Sequence, residues 1–161
     1  MDQIWSIIGL SSLIAAVVTV SLGIVRDIFV EKYRFKRQSE AGFIQSQIQV
    51  YSQIHLLLAR IEKRATEPLF FGEASTNLKE INDIIKTNSY LLTSRIKNEW
   101  LSFMAMFQRG FDVRDNKDRL VLGIALDAKK DEILSLIIVI INRDLIPKYR
   151  KIVGETVPLF G

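Results

Sequence analysis

The residues best suited to chemistry in this chain are few, and they do not converge. Asp112, Asp115 and Asp118, in DVRDNKD, form the densest set of oxygen ligands. A calcium loop needs an Asp-x-Asp-x-Asp-Gly spacing, which this run lacks. Its acids are also interleaved with Arg114, Lys117 and Arg119, which neutralise them. Asp127 and Asp131 share a helical face, but the lysines around them predict ordinary solvated ion pairs. His55 is the only histidine. Beside Tyr51 and Leu58 on a helix, it reads as a partly buried amphipathic side chain rather than a ligand. No glycine-rich phosphate loop, nucleophile elbow or paired-histidine helix is present. Cysteine is absent, which excludes disulfides and thiolate metal sites. The expectation is a chain with no catalytic residue, no cofactor-binding residue and no metal site, and therefore not an enzyme.

What remains is positive charge. Lys32, Arg34, Lys36 and Arg37 crowd six positions without an acid, interleaved with Tyr33 and Phe35. The net charge is +4, so the placement of the cations matters more than their number. The partner this predicts is a lipid bilayer with an anionic inner leaflet, to which each such cation adds about 1 kcal/mol of attraction. In a three-helix bundle the loop after Arg109 returns to the membrane side. It would add Arg109, Arg114 and Lys117, with Phe111 as an interfacial wedge. The alternative is that these cations only enforce topology. Nucleic acid is not an expected partner, because the charge is modest and sits next to lipid. A second basic group, PKYRK (Pro147–Lys151), falls in the last turns of the final helix, where cations complement the dipole.

The element that positions the first cluster precedes it. From Gln3 to Val25 no side chain is ionisable. As a helix this run rises about 34 Å, against roughly 30 Å of hydrocarbon core. A cleaved signal peptide needs a basic n-region and a shorter apolar stretch, whereas this chain starts Met-Asp-Gln. The run is therefore expected to be a permanent transmembrane helix. Only Asp2 and the terminal amine lie before it, while Arg26 and the Lys32–Arg37 cluster follow. The positive-inside rule puts the N-terminus outside and the bulk of the chain in the cytoplasm, anchored to the cell membrane by a single pass. Trp5 at one end, and Phe29 and Tyr33 at the other, suit the two interfaces. The absence of cysteine and of an Asn-x-Ser/Thr acceptor fits a cytoplasmic domain.

Inside the run, Ser11, Ala15, Thr19 and Gly23 recur every four residues along one stripe. Small residues let helix backbones approach closely in lipid, where the hydrophobic drive between helices is weak. The stripe is a candidate face for a transmembrane-helix partner, either a second copy or another subunit. It also matches the ordinary frequency of small residues in single spans.

The chain divides on these grounds into a tip and transmembrane helix (1–25), a basic juxtamembrane helical segment (26–42) and a helical bundle with a C-terminal tail (43–161). Ile44, Ile48, Tyr51, Ile54, Leu58 and Ile61 return at helical spacing, with Val50 and Leu57 alongside. That stripe suits a bundle better than a two-stranded coiled coil. TEPLFFGEAST (Thr66–Thr76) reads as a loop with an apolar plug at Leu69–Phe71. Asn77 and Glu80 resemble a capping box, and Leu78, Ile81, Ile85, Leu92, Ile96, Trp100, Phe103 and Phe107 continue to Gly110. One long helix over 77–109 is the first reading, and two helices with Thr93–Ser94 capping the second is the alternative. GFDVRDNK (Gly110–Lys117) is a loop. A last helix is then expected from Leu120 past a kink at Pro147 to Gly154. Its run ILSLIIVII (Ile133–Ile141) is too short for a second span and reads as a central core helix. The expected fold is all-α: a transmembrane helix continuing into an antiparallel three-helix, or four-helix, cytoplasmic bundle. The tail VGETVPLFG is expected to fold back on it.

The ending LIPKYRKIVGETVPLFG, with the plan of short outer tip, single span and helical cytoplasmic domain, resembles small single-span membrane proteins of archaea that carry no assigned activity. The functional expectation is a membrane-anchored binding or scaffold module, as an accessory subunit of a membrane complex or a homo-oligomer. The alternative is a signalling relay that couples the transmembrane helix to the bundle.

Overall fold

The computed structural model describes the backbone of residues 2–61 and 70–154, and the side chains of 19, 21–61 and 74–154. Among the described residues every regular element is helical. α1 spans Asp2–Arg60, α2 Phe70–Thr87, α3 Ser94–Asp112, α4 Asn116–Val139 and α5 Ile146–Val153. A single 3-10 turn, Ser89–Leu91, joins α2 to α3, and a π-helical segment, Ile140–Leu145, joins α4 to α5. The chain divides into two compact units, 1–40 and 41–161.

The first unit is helical from Asp2 onward. Among the described residues no helix is long and apolar enough to cross a membrane. Most of the span expected over Gln3–Val25 falls outside that description, because the side chains of 3–18 and 20 are not part of it. From Ile24 to Glu40 every residue is exposed.

In the second unit the final turns of α1, α2, α3 and α4 run up and down as an antiparallel bundle. Local contacts set their directions. Asn82 of α2 meets Trp100 of α3, whose indole N–H donates to the Asn82 Oδ1 at 3.4 Å. Glu99 of α3 pairs with Lys129 of α4. Lys130 Nζ donates to the Ile61 carbonyl just beyond α1, at 2.9 Å. All eight residues of the first apolar stripe, from Ile44 to Ile61, are buried. They pack on Ala74, Leu78, Ile81 and Ile85 of α2, on Ile96, Trp100, Phe103 and Phe107 of α3, and on Leu126, Ile133 and Ile137 of α4. Each large apolar side chain removed from water contributes roughly 1.5–3 kcal/mol.

The bundle has four helices rather than three because the chain breaks at 88–93. Thr93, in extended conformation, caps α3, its hydroxyl accepting from the Ile96 N–H. β-Branched Thr at the cap satisfies one of the orphan amides of a new helix, which a continuous helix would not need. Tyr51 of α1 fixes the break: its hydroxyl accepts from the Thr93 N–H at 2.9 Å and donates to Thr93 Oγ1 at 3.3 Å. Gln47 Nε2 donates to the Leu91 carbonyl at 2.8 Å. The turn is thus satisfied by α1 as well as by itself.

Other boundaries also move. α2 starts at Phe70, not at the expected Asn77 cap. Ala74 is buried four residues before Leu78, so the apolar register extends one turn further back and carries the helix with it. The segment expected to be a loop over Thr66–Thr76 is therefore helical from Phe70, and its first part, 66–69, lies outside the described residues. α3 runs through Gly110 to Asp112, and Asp115 caps α4 by accepting from the Lys117 N–H at 2.9 Å. The Ile133–Ile141 run contributes to the core along one face, with Leu134, Leu136 and Ile141 packed against it. Ile133, Ile137 and Ile140 are buried, whereas Ile138 and Val139 are exposed at 46% and 44%. At Ile140 the helix widens into the π segment, and Pro147 lies in the first turn of α5. Proline has no amide for the carbonyl four residues back and its ring crowds that carbonyl, so a widened turn ahead of it relieves the clash. Gly154, at φ 97°, closes α5 with its N–H on the Arg150 carbonyl, a conformation side-chain-bearing residues rarely adopt. The expected fold-back of the tail falls on 155–161, outside the described residues.

Candidate functional site

Helix α1 carries the strongest candidate. From Ile24 to Phe35 it displays large apolar side chains to the surface: Ile24, Val25, Ile28, Phe29, Val30, Tyr33 and Phe35 are between 42% and 75% exposed. So many exposed large apolar side chains on one helix mark a surface that something covers. Interleaved with these are Lys32, Arg34, Lys36 and Arg37, all exposed. The Arg37 guanidinium lies 4.9 Å from the Tyr33 ring centroid, a cation–π contact. Phe29, Val30, Tyr33, Arg34 and Arg37 line an open concavity on this helix.

Of the small-residue stripe, Ser11 and Ala15 lie outside the described side chains. Thr19 is exposed, and a side chain added at Gly23 would meet nothing within 4 Å.

Arg109 and Arg114 stand elsewhere than the three-helix path implied. The break at 88–93 turns the chain beside Gln47 and Tyr51, so α3 runs away from Ala41. Arg109, Phe111 and Arg114 therefore sit, exposed, at the end of the 41–161 unit opposite Ala41. Phe111, 60% exposed, meets Phe107 edge-on at 5.3 Å.

His55 is half-buried and lines a shallow groove between α1 and the end of α4, with Ser52, Leu56, Ile138, Ile141 and Asn142. Of the acidic cluster, Asp115 is committed to capping α4 and Asp118 lies in that helix's first turn. Among the described residues no three His, Cys, Asp or Glu side chains gather as a metal ion would require.

The ion pairs of α4 are not all solvated. Lys130 is 3% exposed. Besides the Ile61 carbonyl it has Asp127 Oδ1 at 3.6 Å, an oxygen with no hydrogen-bond partner among the described residues. An ammonium at the end of α1 satisfies an orphan carbonyl and complements the helix dipole. The signal was present in the sequence, since Lys130 falls in the same register as Gly123, Leu126, Ile133 and Ile137. Lys129 bridges Glu99 of α3 and Glu132, and hydrogen bonds to those two carboxylates, Glu99 first, raise its pKa above the ordinary lysine value.

No family model, curated protein or solved structure matches this chain.

Proposed function

We propose that this chain is a single-pass, membrane-anchored, non-catalytic helical module that binds or scaffolds other proteins at the cell membrane, as an accessory subunit or a homo-oligomer. Its N-terminus lies outside and its bundle in the cytoplasm. One observation carries the reading. The uncharged run from Gln3 to Val25 leads into a stretch of α1 whose exposed large apolar side chains are interleaved with a cluster of cations. Lipid covers such a surface, and the cations hold its cytoplasmic end. The capped, tightly cored bundle then serves as a rigid body for protein contacts.

The test is alkaline carbonate extraction of membranes from cells expressing the full chain, followed by crosslinking in mild detergent. The chain is expected in the pellet, crosslinked to itself or to a co-purifying protein. Recovery in the carbonate supernatant overturns the anchor. A strictly monomeric species without a companion overturns the scaffold.

A signalling relay is favoured by one feature: α1 keeps helical backbone through Gln38–Gly42, where a hinge would uncouple it. Hydrogen exchange separates the readings. A relay requires amide protection at Ser39–Gly42 comparable to that at Ile48–Leu58.

A further inference from the structure

Resting on the membrane reading, we infer that the concave face of α1 formed by Phe29, Val30, Tyr33, Arg34 and Arg37 holds an anionic phospholipid, with its acyl end at Phe29 and its phosphate at the two arginines. The order of polarity along the helix is the argument. Apolar Phe29 and Val30 come first, amphipathic Tyr33 next and guanidinium groups last, all lining one concavity. The face runs from Phe29 to Arg37, eight helical steps and about 12 Å of rise. A lipid in the inner leaflet presents the same sequence in the same direction: chain, ester region, then phosphate. Phe29 and Tyr33, at 70% and 59% exposure, are open to it.

Charge complements the phosphate. Among the described residues neither Arg34 nor Arg37 forms an ion pair, although Asp27 and Glu31 occupy the adjoining face. Arg37 is held over the Tyr33 ring, which orders it while leaving its outer N–H groups available. Planar guanidinium forks match phosphate oxygens better than an ammonium does. An inorganic phosphate would use only the arginines. The apolar end gives it nothing, so a lipid is the occupant that fits the whole face.

Native mass spectrometry of the full chain in non-ionic detergent, with phosphatidylglycerol and phosphatidylcholine added in equal amounts, tests this. Wild type is expected to retain phosphatidylglycerol preferentially. Arg34→Gln/Arg37→Gln is expected to lose that retention roughly thirtyfold. Arg34→Lys/Arg37→Lys should recover only part of it, and Lys148→Gln/Lys151→Gln, which removes two cations from α5, should leave it intact. Inorganic phosphate at millimolar concentration should not displace the lipid. Equal retention of both lipids by wild type, an equal loss in the α5 variant, or displacement by inorganic phosphate each overturns the inference. Carbonate extraction of the same preparations keeps the two claims apart. A carbonate-resistant chain without lipid preference sinks only the lipid site, whereas a carbonate-soluble wild type sinks the anchor.

Discussion

At the scale of single residues, two neighbouring lysines have opposite consequences. Lys130 is buried, and its ammonium is held by one carbonyl and one carboxylate. Lys130→Met keeps the stem's packing but leaves the Ile61 carbonyl and Asp127 oxygen unpaired. The expected cost is about 2–4 kcal/mol, read as a lowered thermal midpoint of the full chain in detergent by circular dichroism. Lys129, about a fifth exposed, works through its raised pKa. A raised folded-state value means that this stabilisation is fully present below the unfolded lysine pKa of about 10.4. It is lost as pH climbs through the folded value. Glu99→Gln should therefore lower stability by no more than about 1 kcal/mol near neutrality, with the gap to wild type closing in alkaline solution above about pH 10.5. Denaturant titrations at pH 7 and pH 11 check it; a gap that widens with pH sinks the assignment. The sequence showed both lysines among acids and suggested solvated pairs for both. Only the register of Lys130 with Leu126 and Ile133 separates them, and charge composition had obscured that signal.

The helices themselves were largely legible as periodic stripes, and the stripes of α1 and α3 became the core residue for residue. Their ends were not. A cap is a competition between a local side-chain hydrogen bond and continuation of the helix, and a partner distant in sequence tips it. Thr93 was visible as a possible cap, but the hydroxyl that decides for it belongs to Tyr51, 42 residues earlier. Thr93→Ala is expected to cost about 1–2 kcal/mol, and Tyr51→Phe about 1–3 by leaving the Thr93 amide bare. The double variant should cost less than the sum, because each change removes part of the same interaction. Urea midpoints of the four proteins measure this, and strict additivity would show that Tyr51 and Thr93 act independently. The start of α2 was missed for a related reason. Gly72 and the Phe70–Phe71 pair look like loop chemistry, and only Ala74 signals that the apolar register has already begun.

For the whole molecule, the sequence offered a proposal about location and little about activity, because its clearest signals are an uncharged run and apolar stripes rather than converging polar groups. The absence of cysteine makes topology directly measurable. A single cysteine introduced at Ser39 of the full chain should react with an impermeant maleimide only after cells are opened, and labelling of intact cells would reverse the orientation. The bond between Lys130 and Ile61 also bears on synthesis. The residue that finishes the end of α1 follows it by 69 positions, so a ribosome that has released α1, α2 and α3 has delivered three walls around an open trench. Nascent chains stalled after Asp112 should be digested readily by added protease, whereas those extended past Gly154 resist it, making the arrival of α4 the step at which the newborn protein stops needing protection.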